Sequence, residues 1–174
     1  IVTAGSTISI AKETGQAANT ITLENINKMY ARCHARARRG ARWFINQDCE
    51  TQLEALSAVV GTGGMPVFLN VSAGAPNIAE SPQTRLKGLP LQPIEYCSTL
   101  GTVGDIILAN LGYYALGIRG GVDEAMSMHL RFDYAETAFR FMFAVDGQSW
   151  LASAITPFKG TNTLSPSLTL ATRA

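Results

Sequence analysis

The chain has 174 residues with 14 basic and 13 acidic side chains, so its net charge is about +1, and this length corresponds to one domain or to one domain with an appended lobe. Apolar residues make up 47% of the sequence, which excludes intrinsic disorder, and no apolar run is long enough for a transmembrane helix. The near-zero net charge excludes a strongly basic DNA-coating protein but allows one local basic face.

The first 60 residues read as two helices, each with a short strand before it. Thr22 suits the N-cap of a run of apolar residues at helical spacing, and Gly40 suits the position after its last turn. Asp48 caps a second run of this kind, which Gly61 ends. The predicted elements are an extended strand within 1–11, a helix at 22–39, a strand at 42–47 and a helix at 48–60.

The rest of the chain reads mainly as strands. Pro90 and Pro93 mark an edge or broken strand, and Asp146 with Gly147 is a hairpin-turn signal. Strands are predicted at 66–71, 86–94, 105–109, 113–118, 125–132, 138–145 and 154–158, with a long exposed loop at 72–84 and a fraying Ser/Thr-rich tail from residue 160. The fold class is therefore α+β, with two main helices and a mixed, largely antiparallel sheet.

Composition bears on the surface and on the cysteines. Charged residues make up only 16% of the chain, where a soluble protein has about 25%. Two explanations stay open: much of the surface is buried against partners, or the surface is neutral and rich in Gly, Ser and Thr. Cys33, Cys49 and Cys97 are odd in number and widely spaced, so they signal neither a disulfide scaffold nor a zinc site, and reduced thiols are expected.

The sequence carries no strong sign of catalysis. His34 and His129 are the only histidines, and neither lies in a recognisable nucleophile motif. The glycine-rich pieces at 61–64, 101–104 and 120–121 lack the residues of a phosphate-binding loop and are read as turns. The carboxylates lack metal-ligand spacing. We therefore predict no enzyme, no catalytic residue, no metal and no cofactor.

One charge feature stands out in the predicted helix at 22–39. Lys28, Arg32, Arg36 and Arg39 recur at intervals of four, four and three, which places them on one face of a continuous helix, with Arg38 and Arg42 nearby. Such a stripe binds phosphates, pairs with acidic residues of a neighbouring subunit, or is simply a solvated face. These four residues are the candidate subunit-interface or phosphate-facing site.

Several short motifs follow one another from residue 86 to residue 158. They include LKGLP at 86–90, GDIILANL at 104–111, RGGV at 119–122 and DG at 146–147. Their order resembles the C-terminal half of tailed-bacteriophage, or prophage, major capsid proteins with the Hong Kong 97 type of shell fold. The helix, strand and second helix before them fit the axial domain of that family.

The resemblance implies a structural subunit of an icosahedral capsid. Family members self-associate into pentamers and hexamers that form a shell around packaged double-stranded DNA. The implied partners are other copies of the chain, a portal, a scaffold or a maturation protease, and DNA by non-specific contact, without a membrane. The implied location is the virion capsid, after synthesis in the bacterial host cytoplasm.

The resemblance also implies an organisation of the chain. Residues 1–160 form the capsid-like domain, with the axial part at roughly 20–130, and 161–174 form a flexible tail. The loop at 72–84 resembles the loop that lines the capsomer centre. The family's N-terminal arm, extended loop and spine helix have no counterpart in these residues, so the chain looks like a fragment and is expected to be a monomer or small oligomer by itself.

Three alternatives to a phage capsid remain at this point. A bacterial nanocompartment has the same shell fold but encloses enzymes instead of DNA. A nucleic-acid-binding module would act through the Arg-rich helix at 22–39 and would show a steep salt dependence. An unrecognised hydrolase would need a substrate-sized cleft that converges on His34 or His129.

Overall fold

The computed structural model describes residues 1–60, 63–66, 71–72, 75–76 and 85–173. Within these ranges the helices are α1 (Leu23–Arg32), α2 (Ala35–Arg38) and α3 (Glu50–Glu54). The strands in the same ranges are β1 (Ile8–Ile10), β2 (Arg42–Ile45), β3 (Ser57–Val60), β4 (Gly63–Pro66), β5 (Val71–Ser72), β6 (Ala75–Pro76), β7 (Arg85–Leu86), β8 (Leu89–Pro93), β9 (Ile106–Ala109), β10 (Tyr114–Arg131), β11 (Glu136–Ser149) and β12 (Ser167–Leu170).

Helix α1 begins where the sequence places its N-cap. The Thr22 hydroxyl accepts a hydrogen bond from the Asn25 N–H, and the Asn25 side-chain oxygen accepts one from the Thr22 N–H, so the two residues form a capping box. The helix ends at Arg32 because Cys33 is extended and the His34 N–H bonds to the Ser165 carbonyl, at 3.0 Å. The single helix expected at 22–39 is therefore interrupted, and only the short α2 follows the break.

The second helix is shorter than expected. A 3-10 turn at Gln47–Cys49 leads into α3, which ends at Glu54 instead of continuing to residue 60. The next residues form β3, which pairs antiparallel with β4. Two β-branched valines, Val59 and Val60, favour the strand over the helix at this point.

Most of the core lies in a six-stranded sheet whose strand order is β1-β12-β9-β2-β8-β7. Strand β2 pairs antiparallel with β9 and parallel with β8, and β12 pairs parallel with β1, so the sheet is mixed. The central strands contribute side chains with no exposed surface, and these are Trp43, Ile45, Ile106, Leu108, Leu168 and Leu170. Ile26 and Met29 of α1 belong to the same apolar cluster. The α+β prediction with a mixed sheet is confirmed.

The C-terminal residues differ from the flexible tail expected at 161–174. All four residues of β12 are buried between β1 and β9. The Thr169 hydroxyl accepts a hydrogen bond from the Gly104 N–H at 3.0 Å, so a polar side chain is satisfied inside the sheet. The Arg173 guanidinium is also fully buried, where it pairs with Asp105. Ser- and Thr-rich composition suggested a solvated tail, but internal hydrogen bonds make these residues part of the core.

Strands β10 and β11 form one long antiparallel hairpin. Its turn is the 3-10 segment Phe132–Tyr134 followed by Ala135 at φ 52°. The expected turn at Asp146 and Gly147 is wrong, because both residues lie inside β11, opposite Gly117 and Leu116. The segment 120–121, expected to be a turn, lies inside β10 where the register shifts between Arg119 and Asp123.

Three further expectations have mixed outcomes. The edge strand at 86–94 is the pair β7 and β8, joined by a tight turn at Lys87 and Gly88. A strand at 154–158 is not formed, since Ile155 makes only an isolated bridge with Leu164. The strand at 66–71 and the loop at 72–84 fall largely outside the described residues. The division into axial and peripheral parts stays a prediction.

Candidate assembly surfaces

The β10–β11 hairpin has one apolar face. Alternate residues of a strand project to the same side, and directly paired residues of two antiparallel strands do so as well. The register pairs Met126 with Phe139 and Ile118 with Val145. The large apolar side chains on this face that are about half or more exposed are Leu116, Ile118, Val122, Met126, Met128, Leu130, Phe139, Phe141, Phe143 and Val145. Glu124, which pairs with Phe141, is a charged residue among them.

The opposite face of the hairpin is polar. Arg119 pairs with Ala144, Asp123 with Met142 and Arg140 with Ala125, so three charged side chains share this side with two alanines and Met142. Near the turn, Arg131 and Glu136 form an exposed ion pair at 3.2 Å. A strand pair with one apolar and one charged face has the pattern of a half-buried sheet.

Nothing within the described residues covers the apolar face. Phe139 and Phe141 are each 66% exposed. Single apolar side chains are normal on a protein surface, but a contiguous set of this size marks an interaction surface. An isolated two-stranded hairpin is also only marginally stable in water. The hairpin therefore has the chemistry of a surface that becomes buried against another protein surface.

The structure places the four predicted site residues in different environments. The Lys28 ammonium forms an ion pair with Glu13 at 2.5 Å, and Arg32 donates to the Thr163 carbonyl and hydroxyl oxygens. These two side chains are therefore occupied within the domain. Arg36 and Arg39 are exposed and lie beyond the helix break, so the four do not share one helix face.

Two neighbouring arginines, rather than Lys28 and Arg32, accompany Arg36 and Arg39. Arg38 lies over the ring of Tyr30, 4.5 Å from its centre, and donates to the carbonyl oxygens of Cys33 and Ala31. Arg42 begins β2 and is exposed. The signal in the sequence that identifies this group is the density of arginine between residues 36 and 42, rather than a spacing of four.

The groups with potential for catalysis or metal binding are buried or scattered. Burial raises the pKa of the Cys49 thiol to about 12 and that of the Cys97 thiol to about 11, and the nearby Asp105 carboxylate adds to both shifts. Burial also raises the pKa of Cys33. All three thiols are free. In the described ranges no group of three or more His, Cys, Asp or Glu side chains could hold a metal ion.

The two histidines lie in unrelated parts of the fold. His34 follows α1, whereas His129 is exposed on β10. Neither lines a described cavity. In the part of the chain that the structure describes, no helix has the length and apolar character that a membrane span requires.

The chain thus combines a small α+β domain with an exposed arginine group and an extended hairpin that has an exposed apolar face. Both surfaces are suited to contacts with other macromolecules. The chain belongs to the phage capsid family, whose sequence profile matches residues 1–160. The resemblance noted in the sequence and the non-enzymatic role are confirmed by this membership.

A solved structure with the same fold agrees with the family assignment. It is described as the capsid of an empty GTA particle computed with C5 symmetry, and it superimposes with a TM-score of 0.66 at 16% sequence identity. The alignment covers 98% of this chain and 51% of that chain, so this chain spans about half the length of the similar capsid protein. No protein with curated functional information matches the chain.

Proposed function

We propose that this chain contributes to pentamers and hexamers that form by self-association and tile a closed icosahedral shell around packaged double-stranded DNA. Synthesis takes place in the cytoplasm of a bacterial host. Closed rings of identical subunits need head-to-tail contacts that repeat around an axis. The similar GTA capsid was computed with C5 symmetry, which supports a five-fold ring for this chain.

The observation that carries the proposal is the apolar face of the β10–β11 hairpin. Burying apolar surface stabilises a contact by roughly 25 cal/mol for each Å² removed from water. Ten large apolar side chains on this face are about half or more exposed. In a shell this surface can be buried against a neighbouring subunit and stabilise the contact, whereas in a free monomer it stays exposed to water.

Electron microscopy tests the proposal directly. The complete reading frame that contains this chain is expressed alone and then with its neighbouring genes, and particles are examined in negative stain. We expect shells or regular rings. Only small discrete particles under both conditions would contradict self-association into a shell.

A matched pair of variants tests the role of the hairpin. Phe139→Ser with Phe141→Ser removes two aromatic rings from the apolar face, whereas Arg140→Ser changes the polar face between them. We expect the first variant to lose shells and the second to keep them. Equal yields of shells from both variants would show that the apolar face has no part in assembly.

The content of the particles separates DNA packaging from the nanocompartment alternative. Particles from cells that carry the neighbouring portal, scaffold and protease genes are treated with nuclease, and the protected nucleic acid is measured. Protected double-stranded DNA supports the proposal. Particles that contain a bound enzyme and no protected DNA would assign the chain to a nanocompartment.

A further inference from the structure

Opposite charges are segregated along the chain, although its net charge is only +1. Residues 25–47 contain six basic side chains and no acidic one, and residues 43–84 contain four acidic side chains and no basic one. Strand β2 lies where the two stretches meet. A chain with nearly balanced totals can therefore carry a strong local dipole.

The fold places the arginines at one end of the sheet, where the strands β2 and β8 begin. Arg42 begins β2, and the parallel strand β8 begins at the same end, two residues after the exposed Lys87. Asn110 directly follows β9, whose last residue, Ala109, pairs with Arg42. Its side chain donates a hydrogen bond to the Ala37 carbonyl at 2.7 Å and so holds α2 at this end of the sheet. We call this group the basic corner, and its members are Arg36, Arg38, Arg39 and Arg42.

Two carboxylates lie at the opposite end of the sheet, where the parallel strands β2 and β8 end. The Ile94 N–H donates to the Ile45 carbonyl at 2.8 Å, and the Asn46 side chain donates to the Cys97 carbonyl at 2.8 Å. These bonds hold the segment after β8 beside the segment after β2. We call this group the acidic corner, and its members are the exposed residues Asp48 and Glu95, with Tyr96 directly after Glu95.

Neither corner is neutralised within the described part of the chain. None of the ion pairs there includes an arginine of the basic corner or a carboxylate of the acidic corner. Arg173 lies near the acidic edge, but it is buried and pairs with Asp105. The two corners are separated by the four residues of β2, which is about 13 Å of strand, so they do not neutralise each other.

The side chains of the two corners are also chemically complementary. A shallow, open groove is lined by Tyr30, Leu89 and three arginines of the basic corner. Its lining therefore combines apolar side chains with positive charge. At the acidic corner the Tyr96 side chain is 98% exposed and follows Glu95 in the chain. An aromatic ring next to a carboxylate matches a groove that combines apolar and arginine side chains.

We propose that the acidic corner of one copy docks on the basic corner of the next, with Tyr96 in the groove beside Tyr30 and Leu89. The occupant of the groove is thus a second copy of this chain. Since the two surfaces differ, the contact is head-to-tail and can repeat around a ring. The inference rests on the proposed self-association and specifies which surfaces form one of its contacts.

DNA explains fewer of these observations than a second copy does. A phosphate backbone would use the basic corner alone and would leave the exposed acidic corner and Tyr96 without a role. Exposed ion pairs contribute little affinity individually, but complementary fields orient partners and accelerate their encounter. We therefore expect the charges to select the head-to-tail orientation, while apolar contacts supply most of the affinity.

A charge-swap experiment in the complete subunit tests the contact. One variant carries Arg36→Glu and Arg39→Glu, a second carries Asp48→Lys and Glu95→Lys, and a third combines all four changes. Lys159→Glu and Phe158→Ala are controls, since both residues are exposed and belong to neither corner. Ring formation is followed by electron microscopy and pairwise association by sedimentation velocity, at 0.1 M and 1 M salt.

We expect each two-residue variant to lower association at 0.1 M salt at least tenfold and the combined variant to restore it, because the contact is re-formed with its charges exchanged. The controls and Tyr96→Phe should match the unaltered subunit, and Tyr96→Ala should not. The differences among the charge variants should shrink at 1 M salt, where charges are screened over about 3 Å. Unchanged melting temperatures verify that all variants fold.

Two results would overturn the inference, and one would separate it from the proposed function. Rings from every variant with equal efficiency would leave shell assembly intact and remove this contact. Loss of association without recovery in the combined variant, together with loss of DNA retention, would assign the arginines to DNA. Pairwise association that follows the charge swap, without rings in any variant, would support the contact while contradicting the proposed capsomers.

Discussion

The six-stranded sheet and the β10–β11 hairpin use similar side chains in opposite ways. Trp43, Ile106 and Leu168 of the sheet have no exposed surface, whereas Leu130 and Phe139 of the hairpin are 76% and 66% exposed. Both regions have hydrogen-bonded ladders, so the difference lies in what packs on the strands. The apolar side chains of the sheet are buried within the domain, whereas no described residue covers the apolar face of the hairpin.

This comparison predicts that substitutions in the sheet and in the hairpin have different consequences. A change in the sheet removes contacts that the folded domain makes by itself, so it alters the free energy of unfolding. A change on the apolar face of the hairpin removes contacts that form only on association, so it alters assembly. The following predictions compare the two regions in order of decreasing effect.

The largest effect is expected at the buried ion pair of the sheet. Arg173→Met leaves the Asp105 carboxylate buried without its cation, although the N–H groups of Gly101 and Ile106 still donate to it. We expect a loss of about 3–5 kcal/mol in the free energy of unfolding, measured by urea denaturation. The double variant Arg173→Met with Asp105→Leu removes both charges and should recover most of the loss. A single variant as stable as the parent would contradict the structural role of the pair.

Thiol reactivity should differ between the regions by about a thousandfold. The raised pKa of Cys49, about 12, leaves almost no thiolate at pH 8, while an exposed thiol with the ordinary pKa of 9.0 is partly ionised there. Ala125→Cys supplies such a thiol on the polar face of the hairpin. The measurement is the rate of alkylation at pH 8 in the folded protein. Similar rates for the native and introduced cysteines would contradict the burial of Cys49.

The raised pKa of Cys49 also predicts that the protein loses stability at alkaline pH. The pKa of Cys49 is raised above the ordinary value of 9.0 in the folded protein, so the thiol contributes fully below pH 9. Between pH 9 and about 12 only the unfolded chain loses this proton, and the free energy of unfolding therefore falls as pH rises. Cys49→Ala should show a shallower fall in urea denaturation across this range. An identical slope in both proteins would contradict the assigned direction.

Local sequence signals predicted those helices and strands whose formation depends on residues close by in the sequence. The cap at Thr22 begins α1, and the apolar run after Arg42 forms β2, as their residues predict. The break at Cys33 depends instead on Ser165, which lies far along the chain. The predicted stripe of basic residues assumed a continuous helix, so it included Arg32 and did not separate it from the exposed arginines beyond the break.

The sequence pattern predicted strands at 113–118, 125–132 and 138–145, but the structure joins the first two into β10, and the pattern could not predict how exposed these strands are. Alternation along β11 is the same whether its partner lies in this domain or elsewhere. The turn at Phe132–Tyr134 contains Asp133 but no glycine or proline, whereas Asp146 and Gly147 form a strong hairpin signal that lies inside a strand. Gly147 lies against the Tyr114 ring, where a Cβ atom would come within 2.5 Å of it. Close side-chain approach, rather than a turn, explains glycine at that position.

A truncation in the core should have the second-largest effect on the free energy of unfolding. Leu168→Ala removes a fully buried side chain from the central strand β12. Cavities of this kind cost about 2–5 kcal/mol in the free energy of unfolding, measured by urea denaturation. The matched variant Leu130→Ala removes the same atoms from an exposed position on the hairpin. Equal losses in the two variants would remove the distinction between the regions.

The smallest effect on stability is expected on the apolar face. Phe139→Ser with Phe141→Ser exchanges two rings that already face water in the isolated chain, so the free energy of unfolding should change by less than about 0.5 kcal/mol for each substitution. Removal of exposed apolar surface should also lower the fluorescence of a bound hydrophobic dye. A loss of stability as large as that of Leu168→Ala would mean that these rings already pack inside the domain. Unchanged stability combined with lost assembly would show that the apolar face of the hairpin is buried only when the particle assembles.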